Sequence, residues 1–544
     1  MRRISCLVVF SFFCLAPSWA AFSIQKLQVE YQTQPIGIDV TQPSFSWQIS
    51  APETPRGTQQ SAYRIVVKNA GGEVVWDSEK INSSNALGIL YKGKPLKAGT
   101  RYHWEVSVWD QSQTQSTASD WFETGLMNDD AGLSAWNGAT WIGAPAKDLI
   151  LYAQYLSVFK LEYSLQPDQT AGTTKAAFLF GGNDPRLMDK NKNIQGVAAG
   201  QDQSYIAFEL DVAALKAGNG SAKLHVYRAG YAPGDSPSKP LTSWDIPNSL
   251  VNAGNMYAPH RFTAECNFGV FDVYLDGHNK ENLISKDNDP DPSSPFRMAG
   301  YNLNPVGRGN NFISFPMLGE IGFKMAPGQL AYFSDIQVKH FRFPSNTIFA
   351  EMLDDANAYS GIFHPYLRSG LAIRGQSYVL SGGNSGVVIL SDPSHGAAPM
   401  LRTRFNAGNQ TLKSARLYVT ARGIYEMYLN GQRVGGDYFN PGLTQYNKTH
   451  HYQTYDVTGM IRPGQENALG AWLGEGWWGG NITYTGENWN YFGDRQSLLA
   501  QLVLTFADGS TQVITSNPDT WKYFADGPVR YGSFFQGEVY DATK

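Results

Sequence analysis

The stretch from Ala415 to Gly480 restricts the fold more than any other part of the chain. Arg416, Tyr418 and Thr420 alternate with Leu417, Val419 and Ala421. That two-residue period belongs to a strand with one wet face and one dry face. The same beat returns in Tyr425-Glu426-Met427-Tyr428-Leu429. Asn430-Gly431 follows, and both residues accept a positive φ, so the chain can reverse there in a two-residue hairpin. Tyr452 to Val457 and Ala468 to Leu473 predict two more short strands, with Pro463-Gly464 marking a turn between them. A stretch written this way folds as a β-sandwich made of hairpins.

The wording of this stretch also carries a family resemblance. ARLYVTARGIYEMYLNGQRVG, NPGLTQYNKTHHYQTYDVT, LGEGWWGG and, near the end, DGPVRYGSFFQGEVYDA resemble the N-terminal β-sandwich domain of bacterial α-L-rhamnosidases in order, spacing and sequence. The resemblance implies a sandwich that precedes a helical (α/α) barrel, and it implies that the barrel holds the catalytic acids. GEVYDA stands at the threshold of that barrel in the family pattern. Here Lys544 comes three residues after Tyr540-Asp541. The expectation is therefore an N-terminal, non-catalytic part with no catalytic residue of its own, inactive as a chain alone.

The first domain is expected over residues 22–125. Pro43 to Ile49, Ala62 to Val67 and Tyr102 to Trp109 alternate, and Gly71-Gly72 separates one strand from Val74 to Asp77. Short strands at regular spacing argue a small sandwich. TRYHWEVSVWD, ending in WFETG, resembles the last strand pairs of fibronectin type III domains. Trp47, Trp104 and Trp109 are expected in its core, and its role is expected to be structural spacing.

Trp136 to Gly143 contains a WIGAP-like strand that the resemblance assigns to the rhamnosidase sandwich. Its continuation, Pro399 to Phe405, lies about 250 residues further on, far beyond ordinary loop length. The sandwich is therefore predicted to be discontinuous, residues 136–146 plus 399–544, with a second one inserted at 147–344. Within the insert, Ala176 to Phe180, Tyr205 to Asp211, Lys223 to Arg228 and Phe271 to Gly277 read as strands, and Phe333 to Lys339 as the closing one. The pattern resembles concanavalin-like and laminin-G-like jelly rolls, which often bind sugars. Residues 345–398 are expected to be an irregular linker with one short helix, Phe349 to Tyr359. The fold class is thus all-β, three β-sandwich domains in tandem with one inserted into another.

A chain of 544 residues accommodates this division, since single cores stop growing near about 250–300 residues. The net charge of −4 gives no field for nucleic acid or an anionic membrane. Residues 1–20 read as an export signal. Arg2 and Arg3 begin it, Ile4 to Leu15 is apolar but too short to span a bilayer, and Ser18-Trp19-Ala20 offers a cleavage site after Ala20. No other apolar run is long enough for a membrane anchor. The chain is expected to be secreted or periplasmic. Cys6 and Cys14 leave with the signal, so Cys266 stands alone as a small buried hydrophobe within a strand.

Glycoside hydrolysis places two carboxyl groups across the scissile bond, roughly 6.5–9.5 Å apart for inversion and about 5–5.5 Å for retention. The C-terminal sandwich offers Glu475, Glu487, Asp494 and Glu538. Glu475 lies in the turn LGEGWWGG with Trp477 and Trp478, which can be read as an acid beside a sugar platform or as a turn packed at a domain boundary. The second reading is favoured, because the resemblance puts the acids elsewhere. In the insert, Asn183, Asp184 and Arg186 follow a strand, with Asp189, Asn191 and Asn193 close behind. Oxygen ligands of this kind suit Ca²⁺ or sugar hydroxyls, and the same residues serve plain turns. Asp287 to Asp291 alternates carboxylates but lacks the glycine and distal glutamate of a helical calcium loop, so it reads as a solvated acidic loop. His450 and His451, adjacent in a strand pattern, would point to opposite faces and cannot share a metal. No HExxH, CxxC, Walker or GxSxG motif occurs.

Asn183, Asp184, Arg186, Glu475, Trp477 and Trp478 are therefore the candidate carbohydrate-binding residues, with Ca²⁺ as a candidate cofactor. A rhamnose-containing glycan and a C-terminal helical catalytic barrel are the expected partners. The alternative is a stand-alone secreted carbohydrate-binding protein.

Overall fold

The structure is a computed structural model. It describes residues 22–51, 57–127, 134–143, 158–182, 203–291, 293, 299–305, 320–345, 347–351, 353, 370–391, 398–480, 491–493, 495–534 and 537–544. Strand accounts for 49% and helix for 2%, and the named strands pair antiparallel throughout. Three large buried clusters form three separate cores.

The first core lies between a sheet of Ser23–Val29, Ser44–Ser50 and Ile89–Leu90 and a sheet of Val74–Asp77, Gln60–Asn69, Arg101–Asp110 and Gln115–Glu123, with Ile81–Asn82 at its side. Phe45 is fully buried and meets Trp104 edge-on at 4.8 Å. Trp47 donates its indole N–H to Gln60 at 2.9 Å, which lets a polar ring stay buried. Trp109, expected in this core, is instead half-buried with Lys80 over its ring at 4.3 Å.

The second core sits between an eight-stranded and a six-stranded sheet formed only by strands between Val158 and Leu390. In the larger sheet Val158–Pro167 lies between His260–Asn267 and Leu330–Lys339; in the smaller one Lys175–Gly182 lies between Tyr205–Asp211 and Glu320–Met325. Tyr163 stacks on Phe178 at 3.9 Å and on Phe262 at 5.1 Å. Burying such a side chain contributes about 1.5–3 kcal/mol.

Here the structure corrects two expectations. The strand over Leu330–Lys339 does not close the unit but sits inside its sheet, bonded to Val158–Pro167, Ser377–Ser381 and Thr347–Glu351. Residues 345–398 are not an irregular linker. Thr347–Glu351 is a strand where the helix from Phe349 was expected, and Leu371–Arg374, Ser377–Ser381 and Val387–Leu390 extend both sheets. The remainder of that predicted helix, apart from Leu353, lies outside the described residues. The physical reason is pairing: Val387–Leu390 hydrogen-bonds the free side of Glu320–Met325, and Gly322 permits it, since a Cβ there would stand 1.9 Å from the Ile389 carbonyl.

The third core lies between a sheet of Gln432–Arg433, Ile424–Leu429, Glu466–Gly474, Met400–Asn406 and Lys522–Phe524 and a sheet of Gln453–Asp456, Leu412–Arg422, Ser497–Phe506 and Thr511–Thr515. Asn430 and Gly431 both take positive φ, 53° and 82°, and close the hairpin between Leu429 and Gln432. Ile142–Gly143 pairs with Ser497 and Leu498 at the start of the long strand Ser497–Phe506. Asn137 bonds Gln501 at 2.8 Å, and Ser516 bonds the Thr140 carbonyl at 2.7 Å. Residues on both sides of the second unit thus build one sandwich.

The first and third units share a buried seam. Leu126, Trp136, Ala139, Tyr418 and Leu499 form one apolar cluster, the Tyr452 hydroxyl accepts from Leu126 N–H at 2.8 Å, and Arg416 reaches Glu123.

Candidate carbohydrate-contact site in the third sandwich

The turn that follows strand Glu466–Gly474 is shaped by two glycines at positive φ, Gly476 at 59° and Gly480 at 66°. The Glu475 carbonyl accepts N–H bonds from Trp478 at 3.3 Å and Gly479 at 3.4 Å. The Glu475 side chain folds inward and is only 3% exposed. Gly480 lies against its carboxyl, where a Cβ would come within 2.4 Å of Oε2. A carboxyl at that depth lies in the wall beneath the turn's surface and meets a sugar only if the turn opens.

Trp477 and Trp478 are both half-buried but belong to different groups. Trp477 packs on Phe534 at 4.6 Å, and Phe439 stands 5.4 Å from the same ring. Trp478 faces Tyr446 and His450, each at 5.7 Å, and Phe492 at 6.5 Å. Gly493 backs directly onto its indole, since a Cβ there would lie 2.4 Å from the ring. Both tryptophans thus serve packing, and each keeps part of its ring available.

Sequence reasoning missed the side chains that complete this group. Arg422 ends strand Leu412–Arg422 with its guanidinium 4.5 Å from the Trp141 ring centre and 5.3 Å from that of Trp478. Such cation–π contacts contribute about 0.5–2 kcal/mol. Among the described residues Arg422 Nε, His450 Nδ1, Trp478 Nε1 and Ser497 Oγ are buried with no hydrogen-bond partner. Burial holds Arg422 below the usual guanidinium range. His450 is held below its ordinary 6.5, first by burial, then by the Arg422 charge, against a smaller opposing pull from the Tyr446 backbone. The ring is therefore neutral at neutral pH. His450 and His451 are not in a strand, which begins at Gln453; His450 is half-buried and His451 exposed. The accessible parts of the Trp477 and Trp478 rings suit the C–H face of a sugar.

Of the other candidates, Asn183, Asp184 and Arg186 lie outside the described residues, as do Asp189, Asn191, Asn193, Glu487 and Asp494. Glu538 is exposed. Asp289 and Asp291 donate their backbone N–H groups to Asp287 at 2.8 Å and Asp289 at 3.0 Å, a run of turns in an exposed loop. Among the described residues no group of three or more His, Cys, Asp or Glu has metal-holding geometry. No helix among them is long and apolar enough to cross a membrane.

The architecture defines a class: an all-β chain of antiparallel sandwiches with one unit nested inside another. Residues 410–544 match the α-L-rhamnosidase N-terminal domain, and residues 24–128 match the Rha78A-like N-terminal immunoglobulin domain. The chain is 31% identical over 554 aligned residues to an α-L-rhamnosidase of Streptomyces avermitilis, covering 96% of this chain and 43% of that protein. It is 42% identical over 144 residues to an α-L-rhamnosidase of Alteromonas sp., covering 26% of this chain and 15% of that one. The crystal structure of the Streptomyces avermitilis α-L-rhamnosidase complexed with L-rhamnose aligns at 25% identity with a TM-score of 0.49, over 96% of this chain and 43% of that one. The chain thus carries two domains of the α-L-rhamnosidase N-terminal type and is similar along 96% of its length to part of one α-L-rhamnosidase. It spans less than half the length of the Streptomyces relative.

Proposed function

We propose that this chain is the accessory front part of an exported α-L-rhamnosidase, one that supports a helical catalytic barrel and helps present rhamnose-containing glycans to it. The single observation that carries the reading is the near-complete alignment, 96% of the chain, to part of an α-L-rhamnosidase. The buried seam between the first and third sandwiches supports a rigid platform rather than loosely tethered beads. The depth of Glu475 argues against bond cleavage at its turn. Export rests on the signal-like start of the sequence, which puts the working compartment outside the cytoplasm. Sugar contact, with Ca²⁺ as a candidate aid, falls to Asn183, Asp184 and Arg186 in the insert and to Trp477 and Trp478 in the third sandwich.

The test is an assay of the purified chain on an aryl α-L-rhamnoside. Turnover no higher than that of a heat-denatured control is expected; turnover above it overturns the non-catalytic reading. Calorimetry with L-rhamnose, with and without a chelator, tests recognition. Heat of binding is expected, and its absence in both arms removes the presenting role.

A further inference from the structure

The outward face of the third sandwich carries a second, unrelated feature. In the sheet containing Glu466–Gly474, odd-numbered residues such as Leu401, Met427 and Ala471 are buried, so even-numbered ones face out. Strand register aligns Tyr428, Gly470, Arg402 and Lys522 in one row, and Glu426, Trp472, Met400 and Phe524 in the next. Gly470 has no side chain, and the gap it leaves between Tyr428 and Arg402 deepens into a groove of about 450 Å³. That volume is within the range of small-ligand sites, about 300–1,000 Å³.

The groove is walled by rings and rimmed by cations. Tyr428 and Trp472 are half-buried. The Tyr428 hydroxyl donates to Glu426 at 2.7 Å, and Glu426 in turn faces Arg433 at 3.5 Å, so the ring is held before any ligand arrives. Arg404, next along its strand, is paired with Glu466 at 3.4 Å. Arg402 and Lys522 take part in no ion pair among the described residues, although both line the groove. A neutral sugar would use the rings and leave both cations idle.

We propose that this groove binds a sugar unit bearing an anionic group, a carboxylate or a sulfate ester. The ring stacks on Trp472 and Tyr428, and the anion lies between Arg402 and Lys522. The inference does not rest on the functional reading above, since its test compares charged with neutral probes and reads neither rhamnoside turnover nor L-rhamnose binding.

The experiment is calorimetry on the full chain with two charged probes, each beside a neutral counterpart: trigalacturonate with its methyl ester, and a sulfated carrageenan tetrasaccharide with its desulfated form. At least one charged probe is expected to bind about tenfold or more tighter than its counterpart, as a charge-assisted contact predicts. Which one binds distinguishes a uronate from a sulfate ligand. Arg402→Gln and Lys522→Gln should each weaken that probe about tenfold. Gly470→Val should abolish binding by filling the slot. The backbone tolerates it, because the nearest atom to a Cβ is the Leu401 carbonyl at 3.4 Å. The two surface variants keep the test decisive if Gly470→Val misfolds. Equal binding of charged and neutral probes, no binding of either charged probe, or binding unchanged in Arg402→Gln and Lys522→Gln overturns the proposal. So does a self-association, seen by sedimentation, that the groove variants abolish, which would make a second copy the occupant.

Discussion

Arg416 grips Glu123 across the boundary between the first and third sandwiches, with Nε to Oε1 at 2.5 Å and Nη2 to Oε2 at 3.1 Å. Both side chains are almost wholly buried, 7% and 8% exposed. Arg101 adds a third contact to the same carboxylate at 3.0 Å. Asp456 also reaches Arg416, at 2.9 Å, so losing Glu123 leaves that guanidinium one half-exposed carboxylate, and losing Arg416 leaves Glu123 with Arg101. Glu123→Ala should therefore cost about 1.5–3 kcal/mol, below the loss for an uncompensated buried charge, while Glu123→Leu combined with Arg416→Met should recover much of that loss. Urea denaturation followed by tryptophan fluorescence measures both. Equal loss in the single and double variants would show that the seam is held by packing alone.

The insert's second sheet depends on the close approach of Gly322 to Ile389. Gly322→Ala in the full chain places a Cβ 1.9 Å from that carbonyl. The expected loss is about 1–3 kcal/mol, typical of overpacking. Hydrogen exchange should then rise across Val387–Leu390 first. Unchanged protection there would mean that this strand is not part of the insert's sheet.

His450 gives the third sandwich a dependence on acid. Its folded pKa lies below the unfolded value of 6.5, through burial and the Arg422 charge. The unfolded chain therefore binds more protons below that value, so stability rises with pH. This contribution is complete above the unfolded pKa and is lost as pH falls below it. Denaturation of the wild type and Arg422→Met between about pH 8 and about pH 5 should show a smaller loss in the variant. An NMR titration should find the His450 pKa raised by that substitution.

Cys266 lies fully buried in strand His260–Asn267, and burial pushes its thiol well up from the usual range. Only the thiolate is a good nucleophile. Iodoacetamide followed by peptide mapping should leave Cys266 unmodified in the native chain and label it fully in denaturant. Labelling at equal rates in both would contradict the buried placement.

The legible parts of this fold were those written locally. Asn430-Gly431 announces its hairpin because few other pairs accept two positive φ angles in succession. The alternation from Arg416 to Ala421 announces a strand because its dry face is continuous. The four strands between Thr347 and Leu390 were illegible because each is four or five residues long, too few alternations to stand out. Gly382-Gly383 among them reads like a linker. The candidate site was legible only at Trp477 and Trp478. Trp141 and Arg422 meet because the chain returns after the insert, and nothing near either residue says so. The groove at Gly470 needs the register of four strands at once, which no single stretch contains.

The pairing of Ile142–Gly143 with Ser497 and Leu498 sets a timetable. During translation the earlier pair emerges about 350 residues ahead of its mate, and at roughly 5–20 residues per second that is on the order of half a minute. The strands from Val158 to Leu390 bond only to one another, so they can condense during that wait. The outer sandwich cannot close before Ser497–Phe506 has been made, although it owns one of the earlier edges to leave the ribosome.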